Sequence, residues 1–582
     1  MNLLWIVLPA AAVLGVAYAT YGRLLARLLR LDAKAPVPAV ELRDGLDFEP
    51  LAPAALFPQH FSAIAAAGPI VGPILAGITF GWLPALLWIL VGSIFIGGVH
   101  DVTALVASIR HKAKSIAEVV RLHMTRRSYL MFLSFIWIAL VYIIVAFTDV
   151  TAASFVGQAR ADSGGVGGGA IASASIMYLA LTLAMGLALR YLRTPNNVAL
   201  LVFLPLVAGA IVAGPYVPFD LAQAIGQPDA VARKAWGVIL LAYCLVAGVL
   251  PVWLLLQPRG QLGGYFLYAA LLAGALGLMF GGATVEYPLF RGWQAPAAGG
   301  AAVALFPLLF ITIACGACSG FHSLIASGTT SKQLRRETDA RPIGYGAMLL
   351  EGMVAVISLC CVMMFTEGAP ELDLAKGGPN QVYAHGIGRF LEVVHLPAQV
   401  GVTFALMAFT TFVYDTLDVC TRLGRFILQE LTGWRGRGGR LFGTTLTAGV
   451  PLYFLLRHPA DAQTPVWRTF WELFGASNQL LAALTLLGVT VWLWQTRRAR
   501  WVWIVTGVPT AFMYLMSTWA LATMTVPAFR SPTGDWAVPR DPVPWIGLVL
   551  LALAALMLVE AARVVAAISG PPRGGEARPA PA

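Results

Sequence analysis

In Ser62-Ala-Ile-Ala-Ala-Ala-Gly68-Pro69-Ile-Val-Gly72-Pro73, two Gly-Pro pairs stand four residues apart inside an apolar segment. Each proline removes a backbone N–H donor and clashes with the preceding turn of a helix. Unpaired backbone groups survive at membrane depth only where they are buried in protein or line a watery cavity. The pattern therefore predicts a helix that is broken within the membrane and belongs to a functional site. A proline kink packed against neighbouring helices is the alternative.

The composition places the whole chain in a membrane. Of its 582 residues, 58% are hydrophobic and 12% are charged, whereas soluble domains carry about 25% charged residues. The apolar residues form blocks of about 20, long enough to cross ~30 Å of hydrocarbon. An ordinary soluble fold and a disulfide scaffold are excluded. We expect about fifteen spans, starting at about residues 3, 62, 82, 129, 170, 197, 236, 264, 302, 344, 398, 442, 473, 501 and 544.

The basic residues predict the orientation. The net charge is +11, and about 29 of the 39 Lys and Arg residues fall in every second loop, as the positive-inside rule requires. The main clusters are Arg110 to Arg127, Lys332 to Arg341, Arg422 to Arg440 and Arg497 to Arg500. Short clusters between spans indicate lipid topology, and no nucleic-acid partner is expected. We predict a multi-pass protein of the bacterial inner membrane, with a periplasmic N-terminus and a cytoplasmic C-terminus.

A second break is predicted five segments later, at Gly248-Val-Leu-Pro251-Val-Trp253. Breaks at equivalent positions of two half-chains that cross in opposite directions are typical of inverted repeats. The expected fold is an all-α membrane protein with a five-plus-five inverted-repeat core; a coincidental kink is the alternative. The predicted divisions are an extra N-terminal helix and loop (1–61), the first repeat (62–235), the second repeat (236–425), extra C-terminal helices (426–568) and a disordered tail (569–582).

The ninth segment carries a row of hydroxyls. Ser319, Ser323 and Ser327 recur every four residues and therefore share one helix face. Together with the carbonyls around Ala66, they are predicted to coordinate a monovalent cation. Close helix packing is the alternative, because serine and glycine are common at contacts between membrane helices. Cys315 and Cys318 of the same segment have no second ligand pair, so neither a metal nor a cofactor is expected.

Glu351 and Asp101 are candidates for ion coupling. Ionisable residues within a span are costly and are functional by default. Glu351 has no basic neighbour within a turn, and we expect it to relay protons. Asp101 precedes Arg110 and either anchors the helix end or couples a cation. Asp415 and Asp418 are three residues apart and share a helix face. Arg422 follows four residues after Asp418, the spacing of an intrahelical pair, and this pair is expected to be structural.

The breaks are the predicted substrate site. The N-termini of half-helices favour anionic groups through their free N–H groups and dipole. His60, at the mouth of the first break, either handles protons or anchors the chain at the membrane interface. The predicted substrate-binding residues are His60, Gly68, Pro69, Gly72, Pro73, Gly248, Pro251 and Trp253. The predicted ion-coupling residues are Ala66, Ser319, His322, Ser323, Glu351 and Asp101.

Four blocks in the same order resemble the carbon starvation protein A family of bacterial inner-membrane transporters. They are His60-Phe-Ser-Ala-Ile-Ala-Ala-Ala-Gly-Pro-Ile-Val-Gly-Pro-Ile-Leu, Ile313-Ala-Cys-Gly-Ala-Cys-Ser-Gly-Phe-His-Ser-Leu-Ile-Ala-Ser-Gly-Thr-Thr-Ser-Lys, Asp415-Thr-Leu-Asp-Val-Cys-Thr-Arg-Leu-Gly-Arg and Leu473-Phe-Gly-Ala-Ser-Asn-Gln-Leu-Leu-Ala. The resemblance implies proton-linked uptake of small nutrients, with pyruvate and peptides as substrates. It also implies the five-plus-five fold of the amino acid, polyamine and organocation superfamily. Many members have two adjacent histidines where this chain has Gln59 and His60.

The sequence thus favours a secondary active transporter that imports pyruvate or short peptides, driven by a proton or sodium gradient. No Gly-x-x-x-x-Gly-Lys-Ser/Thr motif occurs, so ATP is not the direct energy source. The expected partners are the small-molecule substrate, the coupling ion and the bilayer; the sequence leaves the oligomeric state open. A channel or a nutrient sensor is the alternative. An intramembrane hydrolase, which would use Ser319 with His322, is the least favoured, and we predict no enzymatic activity.

Overall fold

A computed structural model describes residues 1–44, 48–157, 166–251, 253–296, 302–376, 378–434, 436–459, 465–530 and 535–569. The described chain is helical apart from one short β-hairpin and the connecting loops. The predicted disordered tail, apart from Ser569, lies outside the described residues.

The α-helices are α1 (Leu4–Ala19), α2 (Tyr21–Leu29), α3 (Pro38–Glu41), α4 (Pro53–Ala65), α5 (Gly68–Phe80), α6 (Trp82–Gly92), α7 (Gly98–Arg110), α8 (Ile116–His123), α9 (Arg126–Ser154), α10 (Gly168–Tyr191), α11 (Asn196–Ala213), α12 (Leu221–Ile225), α13 (Asp229–Val249), α14 (Leu256–Phe280), α15 (Leu305–Thr312), α16 (Phe321–Gly328), α17 (Ala347–Met363), α18 (Pro370–Asp373), α19 (Pro379–Glu392), α20 (Ala398–Thr432), α21 (Arg437–Arg457), α22 (Val466–Arg497), α23 (Arg500–Val502), α24 (Val508–Thr525) and α25 (Pro542–Ser569). Strands β1 (Gln294–Pro296) and β2 (Ala302–Ala304) pair antiparallel, with Gln294 opposite Ala304. Three π-helical segments are Ser93–Gly97, Arg341–Gly346 and Trp503–Gly507. The 3₁₀ turns are Gly214–Tyr216, Thr330–Lys332, Glu337–Asp339, Leu374–Lys376 and Val526–Phe529.

Twelve helices of the described chain are long and apolar enough to cross a membrane, or thirteen if α4 and α5 are taken as one bent span. The predicted count of fifteen is therefore not confirmed. The segment predicted near residue 302 is divided into α15 and α16, which have eight residues each. The segment predicted near residue 442 is α21, which starts with two arginines in its first turn. Both still contribute helices to the bundle.

The predicted break in the second segment is confirmed. Helix α4 ends at Ala65 and α5 begins at Gly68, with their axes bent by 43°. Ala66 lies between them and has φ 28°. This is not a helical angle, so α4 ends there. Pro69 stands in the first turn of α5, where its missing N–H costs nothing. The second Gly-Pro pair is accommodated within α5, so one pair makes the break.

The predicted break at Gly248 to Trp253 is wrong. Helix α13 ends at Val249 and α14 begins at Leu256, so these residues end one span and turn into the next. Pro251 suits such a turn because its ring prevents α13 from continuing. The second broken helix lies instead in the ninth segment, where residues 313–320 separate α15 from α16.

The two broken helices cross at the centre of the bundle. Helix α4 packs against α16, and α5 packs against α15, as expected when two half-chains are related by a pseudo-twofold axis. The contact is close: a side chain at Gly68 would collide with Cys315, and one at Gly72 would collide with the Thr312 carbonyl. Six candidate spans lie between the two breaks, two more than a five-helix repeat places there. The predicted repeat boundaries stay a prediction.

Burial separates the core of the bundle from its periphery. The apolar window of α22 is 94% buried and that of α20 is 83% buried, whereas that of α25 is 22% buried. The peripheral helix thus presents leucines and valines outward, as a lipid-facing surface does. Helices α7, α14, α17 and α20 pack around the crossing of the broken helices and carry the site's ionisable residues.

Candidate functional site

A chain of ionisable side chains lies at the crossing of the broken helices. His322 of α16 shares a hydrogen bond with Asp101 of α7, with 2.8 Å between Nδ1 and Oδ2. The other ring nitrogen, Nε2, lies 3.3 Å from Oε2 of Glu351 on α17. All three side chains are at most 1% exposed. The structure thus brings together three predicted ion-coupling residues from three helices.

His100 extends this cluster and was missed in the sequence. Its Nδ1 lies 2.8 Å from Oδ1 of Asp101, so each oxygen of this carboxylate faces an imidazole. The signal was present, because a histidine beside an aspartate within an apolar span is itself an ionisable pair at membrane depth. The cluster thus contains two carboxyl groups and two imidazoles, all buried. Its total charge depends on how many protons these four groups hold.

The hydroxyl row of the ninth segment makes helix contacts. Ser319 Oγ accepts a 3.0 Å hydrogen bond from the side-chain amide of Asn478 on α22. Ser323 Oγ donates to the Gly320 carbonyl at 2.7 Å and lies 3.1 Å from Thr485 Oγ1 of α22. These contacts support the packing interpretation that the sequence left open. No cluster of three or more His, Cys, Asp or Glu side chains suited to a metal occurs among the residues that the structure describes.

A second ionic cluster is centred on Arg259 of α14, which is fully buried. Its Nε donates to Oδ1 of Asp415 at 2.5 Å, and its Nη2 lies 2.5 Å from Oδ2 of Asp418. Tyr243 contacts the guanidinium and donates to Asp418 at 2.9 Å. Ser62, on the first broken helix, donates to Oδ2 of Asp415 at 2.8 Å. The second cluster is therefore joined to the broken helix.

The expected pairing of Asp418 with Arg422 is wrong. Asp418 and Asp415 instead pair with Arg259 from another helix. The guanidinium of Arg422 donates to the backbone carbonyls of Ala247 and Leu250, at 3.0 and 2.9 Å. It therefore helps to satisfy the free carbonyls at the end of α13.

A small cavity of about 30 Å³ adjoins this cluster, between α4, α14, α20 and the 3₁₀ turn that follows α16. Its lining includes Asp415, His60, Gln59, Gln333 and Gly260. His60 is 2% exposed, and its Nδ1 lies 2.8 Å from Thr330 Oγ1. This burial contradicts the interface-anchor interpretation of His60 and places it in the lining of this small cavity.

The comparison with protein families assigns the chain to a family. The model of the family described as carbon starvation protein CstA matches residues 2–371 and 368–520. The chain belongs to this family. It is 33% identical over 565 residues to the "Peptide transporter CstA" of Helicobacter pylori strain J99, covering 88% of this chain and 80% of that protein. It is 32% identical over 608 residues to the "Pyruvate/proton symporter BtsT" of Escherichia coli K12, covering 90% and 81%.

Among solved structures, the chain is similar to that of MhsT in complex with L-phenylalanine. The TM-score is 0.45 at 12% sequence identity, over 89% of this chain and 98% of that chain.

The residues of the CstA family blocks meet in this structure. The blocks that start at His60, Ile313 and Asp415 supply α4 with α5, residues 313–332, and the acidic stretch of α20. The fourth block lies on α22 and supplies Asn478, whose Oδ1 accepts the Phe321 N–H at 2.9 Å. Asn478 thereby satisfies a free donor at the start of α16.

Gly248, Pro251 and Trp253 are not brought to the site. The Gly248 carbonyl accepts a 2.7 Å hydrogen bond from Arg425. Trp253 lies under the guanidinium of Arg190, 5.6 Å from its ring centre. Pro251 is exposed. Their contacts are those of a helix end and a turn, in keeping with the corrected position of the second break.

A wider cavity of about 660 Å³ lies between the C-terminal end of α9 and the N-terminal ends of α10 and α13, and its lining includes Ser154, Arg233 and Asn380. Arg233 forms a two-point ion pair with Asp149, at 2.9 and 2.6 Å. Asp149 also accepts the Trp467 N–H at 2.7 Å. The pair ties three helices together beside this cavity.

Proposed function

We propose that the chain is a proton-coupled secondary transporter that imports a small nutrient, pyruvate or a short peptide, by alternating access. The relatives named as a peptide transporter and as a pyruvate/proton symporter support the substrate class and the coupling ion. The positive-inside pattern supports a bacterial inner-membrane location with a periplasmic N-terminus and a cytoplasmic C-terminus.

One observation carries the proposal: His322 lies between Asp101 and Glu351 at the crossing of two broken helices. Broken helices near the membrane midplane form the binding site of many secondary transporters, and the helix repeats move around it. Imidazole and carboxyl groups within hydrogen-bonding distance exchange protons readily. Sodium needs several oxygen ligands, but the Asp101 oxygens face imidazoles. The cluster therefore favours a proton over a sodium ion.

The number of protons on Asp101, His322 and Glu351 would determine which conformation of the transporter is favoured. With one proton on Glu351 and His322 doubly protonated beside ionised Asp101, these three groups sum to zero charge. Loss of one proton leaves a net negative charge in a dry site, which is costly. The conformation that excludes water thus favours the cluster with its proton bound. Opening to water on one side favours release of that proton. Because α7, α16 and α17 each supply one group, proton release changes the contacts among these three helices.

The test uses purified protein in proteoliposomes, with labelled pyruvate and labelled dialanine offered under separately imposed proton and sodium gradients. We expect a proton gradient, inside alkaline, to drive accumulation of at least one probe. Internal unlabelled substrate should accelerate exchange, as in a carrier. Uptake that shows no such acceleration indicates a channel, and appearance of a new product indicates an enzyme; either result contradicts the proposal.

The coupling residue is tested with Glu351→Gln. This change keeps the side-chain shape but removes the exchangeable proton, so gradient-driven accumulation should fall to the level of empty vesicles while exchange persists. Glu392→Gln is the matched control, because Glu392 is exposed at the end of α19 and should behave as wild type. Full accumulation by Glu351→Gln would remove Glu351 from the mechanism.

A further inference from the structure

The Arg259 cluster contains one cation and two carboxyl groups. Arg259 is the cation for both Asp415 and Asp418, so one guanidinium faces two carboxylates and the formal sum is −1. Oδ1 of Asp418 is also buried without a hydrogen-bond partner. A buried net charge is unfavourable unless a counter-charge joins it.

The adjoining 30 Å³ cavity has room for such a counter-charge and polar atoms to hold it. Asp415 lines the cavity, as do Gln59, His60 and Gln333. Each of these three residues has a buried side-chain atom without a hydrogen-bond partner in the described chain: Gln59 Oε1, His60 Nε2 and Gln333 Oε1. Gln333 is 8% exposed and His60 is 2% exposed. The Gln333 Nε2 group donates to the Thr329 carbonyl at 3.2 Å, which leaves Oε1 as the hydrogen-bond acceptor of this side chain.

We propose that this cavity binds the protonated primary amine of the substrate, so that the transported nutrient is a peptide or another amino compound rather than pyruvate. This inference rests on the proposed transporter function and names its substrate class. The ammonium group brings the missing positive charge beside Asp415. Its three N–H donors meet the carboxylate and the amide oxygens of Gln333 and Gln59.

Size and charge both favour this occupant. A volume of about 30 Å³ is the share of one water molecule in the liquid, and an –NH₃⁺ group is of similar size. The carboxylate of pyruvate would add a second negative charge next to Asp415, and pyruvate has no donor for Gln333. An inorganic monovalent cation shares the charge of the amine, so the experiment must distinguish the two.

Binding is measured on purified wild-type protein in detergent, from the shift in unfolding temperature. The probe is alaninamide, which has the ammonium but no carboxylate; N-acetylalaninamide and propionate are the uncharged and anionic controls. We expect alaninamide alone to raise the unfolding temperature in a concentration-dependent way. Sodium chloride and ammonium chloride are tested at equal ionic strength against choline chloride. Equal stabilisation by sodium would assign the cavity to an inorganic cation and overturn the inference.

Two substitutions of Gln333 test its side-chain oxygen as the hydrogen-bond acceptor for the amine. Gln333→Met keeps the side-chain length but removes the oxygen, and alaninamide affinity should fall roughly ten- to a hundredfold, as for a lost hydrogen bond to a charged group. Gln333→Glu restores an acceptor and should bind at least as well as wild type. Gln223→Met, on the exposed surface of α12, is the control. Unchanged affinity in Gln333→Met contradicts the proposal, and the unfolding temperature without ligand shows whether that variant is folded.

Proteoliposome uptake separates this inference from the proposed function. If dialanine accumulates and N-acetyl-dialanine and pyruvate do not, both are supported. If pyruvate accumulates while alaninamide does not bind, the amine site is wrong and the transporter stands. If alaninamide binds but no probe is taken up or exchanged, the proposed function is wrong and the amine site stands.

Discussion

Replacing Arg259 by methionine should be among the most destabilising single changes in the core of this chain. Methionine keeps the length of the side chain but leaves Asp415 and Asp418 with no cation between them, so the cluster changes from −1 to −2. Removal of one partner from a buried ion pair costs about 3–5 kcal/mol. In Arg259→Met both carboxylates lose their cation. We therefore expect this variant to lose at least about 3 kcal/mol of unfolding free energy.

Neutralising one carboxylate of the cluster should cost much less free energy of unfolding. In Asp418→Asn, Arg259 keeps its 2.5 Å contact with Asp415, and the cluster becomes neutral. The asparagine oxygen can still accept the hydrogen bond from Tyr243. We expect a loss of about 1 kcal/mol or less, the scale of one hydrogen bond. The difference between the two variants follows from charge balance, since each change removes one charged member of the same cluster but only one of them leaves the cluster neutral.

The six cysteines provide the assay, because all of them are free and buried. A thiol-reactive fluorophore labels them only when the protein unfolds, so fluorescence during heating gives the unfolding temperature of each variant in detergent. Arg259→Met should unfold at a much lower temperature than Asp418→Asn. Adding Asp415→Asn and Asp418→Asn to Arg259→Met should recover most of the loss, because no uncompensated charge then remains. Equal losses in both single variants, or no recovery in the triple variant, would refute the charge-balance reasoning.

Three further outcomes are expected. Gly68→Ala should impair folding and uptake, because the new Cβ collides with the Cys315 side chain, and adding Cys315→Gly should restore the melting temperature and uptake. Asn478→Leu should lower the free energy of unfolding by about 1–3 kcal/mol in a denaturant titration, since the Phe321 N–H loses its buried acceptor. Burial lowers the pKa of both His111 and His123, which lie outside the spans with 2.8 Å between their Nε2 atoms. The unfolded chain, with histidine pKa values of about 6.5, then binds protons more readily, so the melting temperature should fall from pH 7 to pH 5, and fall less in His123→Gln.

The first broken helix could be predicted because its cause is local. Two Gly-Pro pairs in one apolar segment remove donors wherever the rest of the chain lies. The second broken helix could not be predicted in this way, because residues 313–320 contain no proline. Its unwound backbone is stabilised from a distance: Trp88 donates to the Ile313 carbonyl at 3.1 Å, and the Gln479 amide donates to the Phe310 carbonyl at 3.1 Å. These donors belong to α6 and α22, far away in sequence.

The buried ionisable residues also divide into features that the sequence could predict and features that it could not. Asp101, His322 and Glu351 could be selected singly, because each is an ionisable residue within an apolar segment. That they contact one another depends on how α7, α16 and α17 pack. Arg259 was missed because Gln257-Pro-Arg-Gly260 resembles a loop ahead of the span predicted near residue 264. The structure starts α14 at Leu256, because the two aspartates of α20 supply the charge that permits a buried arginine.

The two clusters act on the same pair of half-helices. Ser62 of α4 donates to Asp415 of the Arg259 cluster, and two residues later the Ile64 backbone lies beside the His322 ring. On the other broken helix, His322 contacts Asp101 and Glu351. Thr330, in the turn that follows α16, contacts His60 at the cavity. A shift of α4 against α16 therefore changes the surroundings of both clusters at once. When two ligands bias one structural element, each alters the affinity for the other by the same factor. Proton and amine would thus be coupled through the packing of these half-helices, without any contact between them.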